Sequence, residues 1–152
     1  MGIRQNIDLP PVWLVGALAL AWGQARYWTL GLSFGGAWAE FLGGILVGGG
    51  VILMALAATE MSRQKTTIHP HLESDHLVTT GIFKRSRNPI YVGDVLILLG
   101  LILYWDAVLS LPLVPIFLWV IERRFVIPEE NRLRKKFRAA YARYCQVTRR
   151  WL

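Results

Sequence analysis

Apolar residues along this chain come in four blocks, each ending where charge or a turn begins. The first covers residues 11–30 and is interrupted by Gln24 and Arg26. The second, residues 37–58, has Glu40 near one end as its only charge. The third and fourth, residues 90–105 and 107–121, form nearly one block divided at Asp106. Each of these two falls short of the ~20 residues that cross a bilayer comfortably, while together they far exceed one span. A tight helical hairpin is the economical reading, with polar ends such as Tyr91 and Glu122 extending both helices. After Pro128 the pattern changes to Leu133, Phe137, Ala140, Tyr141 and Tyr144 at helical spacing. Arg132, Arg134, Lys135, Lys136 and Arg143 take the other faces. This predicts a basic amphipathic helix at the membrane surface or across the end of the bundle. The expected fold class is therefore all-α: a polytopic transmembrane bundle of about four spans with a C-terminal amphipathic helix. Residues 1–62 supply an N-terminal pair of spans. Residues 63–152 form a second half of loop, hairpin and amphipathic helix.

Charge fixes the expected orientation. The chain is 54% hydrophobic yet carries a formal net charge of +7. Lys and Arg gather between the second and third blocks (Arg63, Lys65, Lys84, Arg85, Arg87) and from Arg123 to the end. The turns near residues 30–36 and 105–106 contain neither. The positive-inside bias then puts both termini and the central loop in the cytoplasm, as a multi-pass protein requires with four spans. That pattern already accounts for the net charge, so no nucleic-acid partner is expected. Arg4 ahead of an apolar run resembles a cleaved leader in outline, but Asp8, Pro10 and Pro11 intervene and more apolar blocks follow, favouring a retained first helix.

Other composition signals are bland. A single cysteine, Cys145, excludes an internal disulfide. His69, His71 and His76 lie close together without further ligands, and no metal is expected. The glycine-rich second block lacks a dinucleotide fingerprint. Gly44 and Gly48 form a G-x-x-x-G pair suited to close helix approach, within the chain or between copies of a homo-oligomer.

Two polar stretches flank the hairpin. One runs from His76 through Gly81 to Arg87-Asn88-Pro89-Ile90-Tyr91-Val92-Gly93, and the other from Arg123-Arg124 through Glu129-Glu130 to Tyr144. Singly, each has a structural explanation: Asn88-Pro89 starts a helix, Glu129 and Glu130 suit a first turn, and the arginines anchor. An antiparallel hairpin brings both stretches to one end, where they wall a cavity of carboxylates, arginine, phenol, amide and histidine beside apolar surface. Such a mixture suits a charged nucleotide-like ligand and a lipid together. Asp94, one turn beyond Tyr91 inside the third block, is either solvated near the interface or part of a site. A non-enzymatic assembly or transport-associated protein is the alternative reading, supported by the glycine-rich block and basic tail.

Leu77-Val78-Thr79-Thr80-Gly81, the Arg87–Gly93 motif, and Glu129-Glu130 with Leu133, Phe137, Tyr141 and Tyr144 resemble the isoprenylcysteine carboxyl methyltransferase family. They also resemble the related membrane phospholipid methyltransferases. The likeness spans about residues 63–150. It implies an S-adenosylmethionine-dependent enzyme that methylates a carboxylate or amine of a lipid or lipidated acceptor. By the same likeness, His76, Leu77, Val78, Gly81, Asn88, Pro89, Tyr91 and Glu130 would bind the cofactor. Arg87, Tyr91, Glu129 and Arg123, or its neighbour Arg124, would act on the substrate. Asn88 stands where the isoprenylcysteine enzymes usually have His. Asn donates and accepts hydrogen bonds but does not titrate near neutrality, so it suits holding and not general-base work.

Overall fold

The computed structural model describes residues 8–66 and 76–152, which are helical with no strand among them. His69 and His71 lie outside the described residues. Helix α1 spans Pro10–Tyr27, where Pro10 and Pro11 supply the preset φ of a first turn. Helix α2 spans Ala37–Arg63 and is long and apolar enough to cross a membrane. At 1.5 Å per residue its length is about 40 Å. Helix α3, Pro89–Tyr104, is a shorter apolar helix.

The fourth apolar block behaves differently from a simple span. It opens as a 3₁₀ turn at Val108–Ser110, becomes helix α4 at Leu113–Ile121, and continues through a π-helical turn at Glu122–Val126 into α5, Ile127–Phe137. Pro128 accounts for the wide turn: it has no N–H for the carbonyl four residues back, and its ring would clash there. The continuous rod ends at Arg138, whose φ of 46° breaks the helix before α6, Ala139–Val147.

α3 is the central element, with α2 packed along one side and α1 and α4 along another. The α2–α3 contact rests on glycine. A Cβ on Gly50 would lie 2.7 Å from the Gly93 carbonyl, and one on Gly100 would lie 2.6 Å from that of Gly43. Gly43 faces Gly100 and Gly50 faces Gly93, two antiparallel pairs that let the backbones nearly touch. The close approach thus uses Gly43 and Gly50, not the expected Gly44 and Gly48, which face open space. A G-x-x-x-G spacing alone cannot show which face of a glycine-rich helix turns inward.

The ends of the bundle are tied by polar contacts. At one end Asp106 accepts the Phe34 backbone N–H at 2.7 Å, and Ser110 Oγ donates to Gln24 Oε1 at 2.8 Å. Gln24, which interrupts the first apolar block, therefore has a structural partner. At the other end Arg124 Nε donates to Asp8 at 2.6 Å while its guanidinium lies over the Trp13 ring. One apolar cluster, built on Leu98, Ile102, Ile121 and Phe125, joins α1, α3 and α4. A second, built on Ala57, Val78, Phe83, Tyr141 and Tyr144, joins α2, the loop before α3 and α6.

The glycine contact gives a direct test by thermal unfolding in detergent. Gly50→Ala should destabilise the chain by about 1–3 kcal/mol, because backbone on both sides prevents relaxation. Gly48→Ala, on the open face, should be neutral or stabilise by up to about 1 kcal/mol through helix propensity. Equal effects at the two positions would contradict the packing.

Candidate functional site

A cavity of about 580 Å³ lies where α2 ends and α3 begins. This is within the range of roughly 300–1,000 Å³ typical of small-molecule sites. Its apolar walls come from Leu9, Pro10 and Pro11 at the start of α1, and from Met54 and Met61 on α2. Its polar groups are Ser62, Thr66, Arg87, Asn88, Tyr91, Asp94 and Glu129. The Asp8–Arg124–Trp13 contacts hold the start of α1 against the π-helical turn, and so fix the first wall.

The loop that leads into α3 is held by the C-terminal segment. Tyr144 donates to the Phe83 carbonyl at 2.7 Å, and the Arg87 N–H donates to the Arg149 carbonyl at 2.9 Å. Asn88 is buried, and its side chain does not cap α3. Its Nδ2 donates instead to the Arg150 carbonyl at 3.1 Å, while Ser86 Oγ accepts its backbone N–H. The Asn-Pro pair thus starts the helix through Pro89, and the amide side chain fastens the tail.

Behind the cavity wall sits a knot of charge. Glu130 is 4% exposed and is bracketed by Arg87 at 3.5 Å and Arg150 at 2.8 Å. Arg150 also pairs with Glu122 on the π-helical turn. Arg87 Nη1 reaches the Tyr141 hydroxyl and Cys145 Sγ as well. Burial pushes the Tyr141 and Tyr144 hydroxyls up, so both remain protonated and serve as fixed polar contacts.

On the cavity side, the Tyr91 hydroxyl donates to Glu129 Oε2 at 3.3 Å. Burial holds the Glu129 carboxyl above the ordinary carboxylate range, with the Tyr91 hydrogen bond and the charge of Arg132 opposing it. A proton held or released by Glu129 therefore sits at the wall of the cavity.

Among the described residues, three buried side-chain polar atoms have no hydrogen-bond partner: Thr66 Oγ1, Arg87 Nε and Asp94 Oδ1. All three residues line this one cavity. Buried polar groups are normally satisfied, so a cluster of exceptions makes this cavity the candidate ligand site. A hydroxyl, a guanidinium N–H and a carboxylate, beside the Asn88 amide and apolar walls, offer donors, an acceptor and both signs of charge to a small polar ligand.

Of the residues expected at the site, Arg87, Asn88, Pro89, Tyr91 and Glu129 line the cavity. Glu130 lies behind them in the charge knot. Leu77 and Val78 pack in the second apolar cluster. Gly81 opens the 3₁₀ turn Gly81–Lys84 with φ 60°, and a Cβ there would meet the Glu60 carboxylate at 2.8 Å. His76 and Arg123 are exposed and are not part of the lining. Arg150 and Thr66 were not singled out by the sequence. Arg150 is one of several basic residues in a tail that offers no mark of which one turns inward, and Thr66 stands at a helix end like any loop residue.

Fold and cavity together define a helical protein with a lipid-compatible helix and a half-polar, half-apolar binding site. The chain belongs to the phospholipid methyltransferase family, whose model matches residues 38–140. Methyl transfer at a membrane is the activity that this membership suggests. No curated protein and no solved structure matches the chain.

The Glu129 environment predicts a pH effect with a definite sign. Because its carboxyl titrates higher folded than unfolded, the folded chain binds more protons between the two values, and stability falls as pH rises through that window. Glu129→Gln removes this loss. Unfolding curves of the two proteins should therefore separate in favour of the Gln variant as pH rises above the ordinary carboxylate range, then run parallel. A constant difference from acid to neutral pH would contradict the assignment.

Proposed function

We propose that this protein is an integral membrane, S-adenosylmethionine-dependent methyltransferase that acts on a carboxylate or amine of a lipid or lipidated acceptor. The observation that carries the reading is that three polar atoms with no partner among the described residues, Thr66 Oγ1, Arg87 Nε and Asp94 Oδ1, belong to residues lining one cavity in a chain of this family, a donor and acceptor set that fits the hydroxyls and charged groups of S-adenosylmethionine. About four spans, with both termini and the cavity mouth on the cytoplasmic side, fit the placement of the basic residues. α2 is long enough to cross alone; α1, α3 and the α4 rod complete the bundle in this reading.

When bound, S-adenosylmethionine supplies a methyl group on a positively charged sulfur, open to attack by a nucleophile. The chain's own residues need only bind, orient and exclude water, and proximity of this kind accounts for much of a rate enhancement. Asn88, Pro89 and Tyr91 hold the cofactor from the first turn of α3, with Arg87 and Thr66 beside them. Glu130 takes no part in contact; its ion pair with Nη1 fixes the Arg87 guanidinium at the cavity wall. Leu77, Val78 and Gly81 shape the loop that carries Arg87 and Asn88. Glu129 orients the Tyr91 hydroxyl and stands ready to take a proton from an acceptor that must lose one. The acceptor's tail lies against Leu9, Pro10, Met54 and Met61.

Purified protein in detergent should bind S-adenosylmethionine saturably in calorimetric titration. Tyr91→Phe should weaken binding about tenfold, the worth of one lost polar contact, and Glu130→Ala should weaken it further by releasing Arg87. With methyl-labelled cofactor and total membrane lipid, label should appear in a lipid-extractable product. Well-folded protein with no cofactor binding would sink the proposal.

A further inference from the structure

The outward charges near the C-terminal end of the chain have one sign. Between residues 123 and 150 the acids are Glu129 and Glu130, and both turn inward, one to the cavity and the other to the charge knot. The exposed charges of α5 and α6 are Arg132, Arg134, Lys135, Lys136 and Arg143, with Arg138 at the bend between the helices. Arg132 and Arg134 are steadied by neutral groups of their own helix, the Pro128 carbonyl at 3.4 Å and Asn131 at 3.0 Å. Such contacts orient a guanidinium without cancelling its charge.

Placement decides what this charge can meet. Leu133 and Phe137 of α5, with Tyr141 and Tyr144 of α6, belong to the same apolar cluster as Ala57 and Met61 of α2 and Ile90 of α3. Ala57 and Met61 lie in the last two turns of the long apolar helix, and Ile90 in the first turn of α3. The inner face of α5–α6 is therefore packed at the level where the helices of the bundle end, not beyond them. In a bundle that spans a bilayer, the outer face then lies at the depth of the lipid headgroups. Val147 is 81% exposed and stands one turn after Arg143 on the same face of α6, and Leu152 is 64% exposed just beyond. Basic and apolar side chains side by side suit the headgroup layer, which takes the charge, and the acyl boundary below it, which takes the methyl groups.

We propose that the outer face of α5–α6 is a binding surface for the anionic phospholipid headgroups of the leaflet that borders it, the cytoplasmic one in the topology given above. Clusters of about 4–8 basic residues beside a membrane helix attract acidic lipids, each residue contributing roughly fivefold in affinity. Lys135, Lys136 and Arg143 line no part of the cavity. The inference therefore rests on residence in a membrane and not on methyl transfer.

The test uses the full chain in a non-ionic detergent, titrated with dihexanoyl-phosphatidylglycerol and dihexanoyl-phosphatidylcholine, with empty micelles subtracted. The wild type should bind the anionic lipid about tenfold or more tighter, and added salt should shrink that preference severalfold. The triple variant Lys135→Gln, Lys136→Gln, Arg143→Gln should weaken anionic-lipid binding at least about tenfold. Arg26→Gln, at the opposite end of the bundle beside the Gln24–Ser110 contact, should keep it within about twofold. Thermal unfolding checks the fold of each variant; should the triple variant unfold, Lys135→Gln alone decides, with an expected loss of about fivefold. Equal affinity for the two lipids, or a preference that the folded variants retain, overturns the proposal. A single-stranded oligonucleotide and poly-glutamate are the competing occupants. Binding of either to the wild type in phosphatidylglycerol-containing nanodiscs, undiminished from phosphatidylcholine nanodiscs and lost in the triple variant, assigns the face to a soluble polyanion and also overturns it.

Discussion

The Glu130 carboxylate is buried between two arginines from distant parts of the chain, and much of the site depends on that arrangement. A buried charge is stable only with close counter-charges, and removing one partner typically costs about 3–5 kcal/mol. Arg87 comes from the loop before α3, Arg150 from the end of the chain, and Glu122 from the π-helical turn, where it pairs with Arg150 in turn. The knot therefore gathers three segments that apolar packing alone would leave loosely related. It also engages Nη1 of Arg87, while Nε of the same guanidinium is buried with no hydrogen-bond partner among the described residues. The side chain that the family likeness suggests as catalytic is thus held by this knot and lines the cavity.

The second constraint is steric. Gly43 with Gly100 and Gly50 with Gly93 bring α2 and α3 to backbone contact, so that α2 is committed to α3 and not to α1. α1 is placed independently, by apolar packing on α3 and α4 and by polar contacts at its two ends. The cleft between α1 and α2 is the geometric consequence. A bundle in which α1 and α2 packed together would close it.

The helices were legible because their apolar blocks are long and bounded by charge. The boundaries of α1, α2 and α3 fall within a turn of the blocks, except that α2 runs on through Glu60 to Arg63. What block patterns cannot convey is how a rod continues past its apolar part: α4 passes without interruption into α5 through Pro128, a residue that reads locally as a helix start. Motif residues were legible as a group. Arg87, Asn88, Tyr91 and Glu129 converge as an antiparallel hairpin requires, but His76 and Arg123, equally polar and close in sequence, point elsewhere. Facing depends on backbone angles such as the positive φ of Arg138, which the chemistry of neighbouring residues does not reveal. Arg150 is the sharpest case. Nothing separates it from Arg149 in sequence, yet one forms the charge knot and the other stays exposed.

Asn88, Tyr91 and Asp94 are spaced three apart at the start of α3, so they share a face. Along that face the chemistry changes in order: an amide tied to the tail, a phenol tied to a carboxylate, then a carboxylate whose Oδ1 has no hydrogen-bond partner among the described residues. The first two are held by protein contacts and vary little in orientation, which suits groups that position a cofactor. The third has no such restraint, and its surroundings become more apolar toward the bundle interior. A titrating histidine in place of Asn88 would put acid–base chemistry at the mouth of the cavity. With Asn there, the groups able to exchange a proton along this face are Asp94 and the Tyr91–Glu129 pair. Any proton exchange is thereby moved away from the tail-bound end of the site, toward the interior of the bundle.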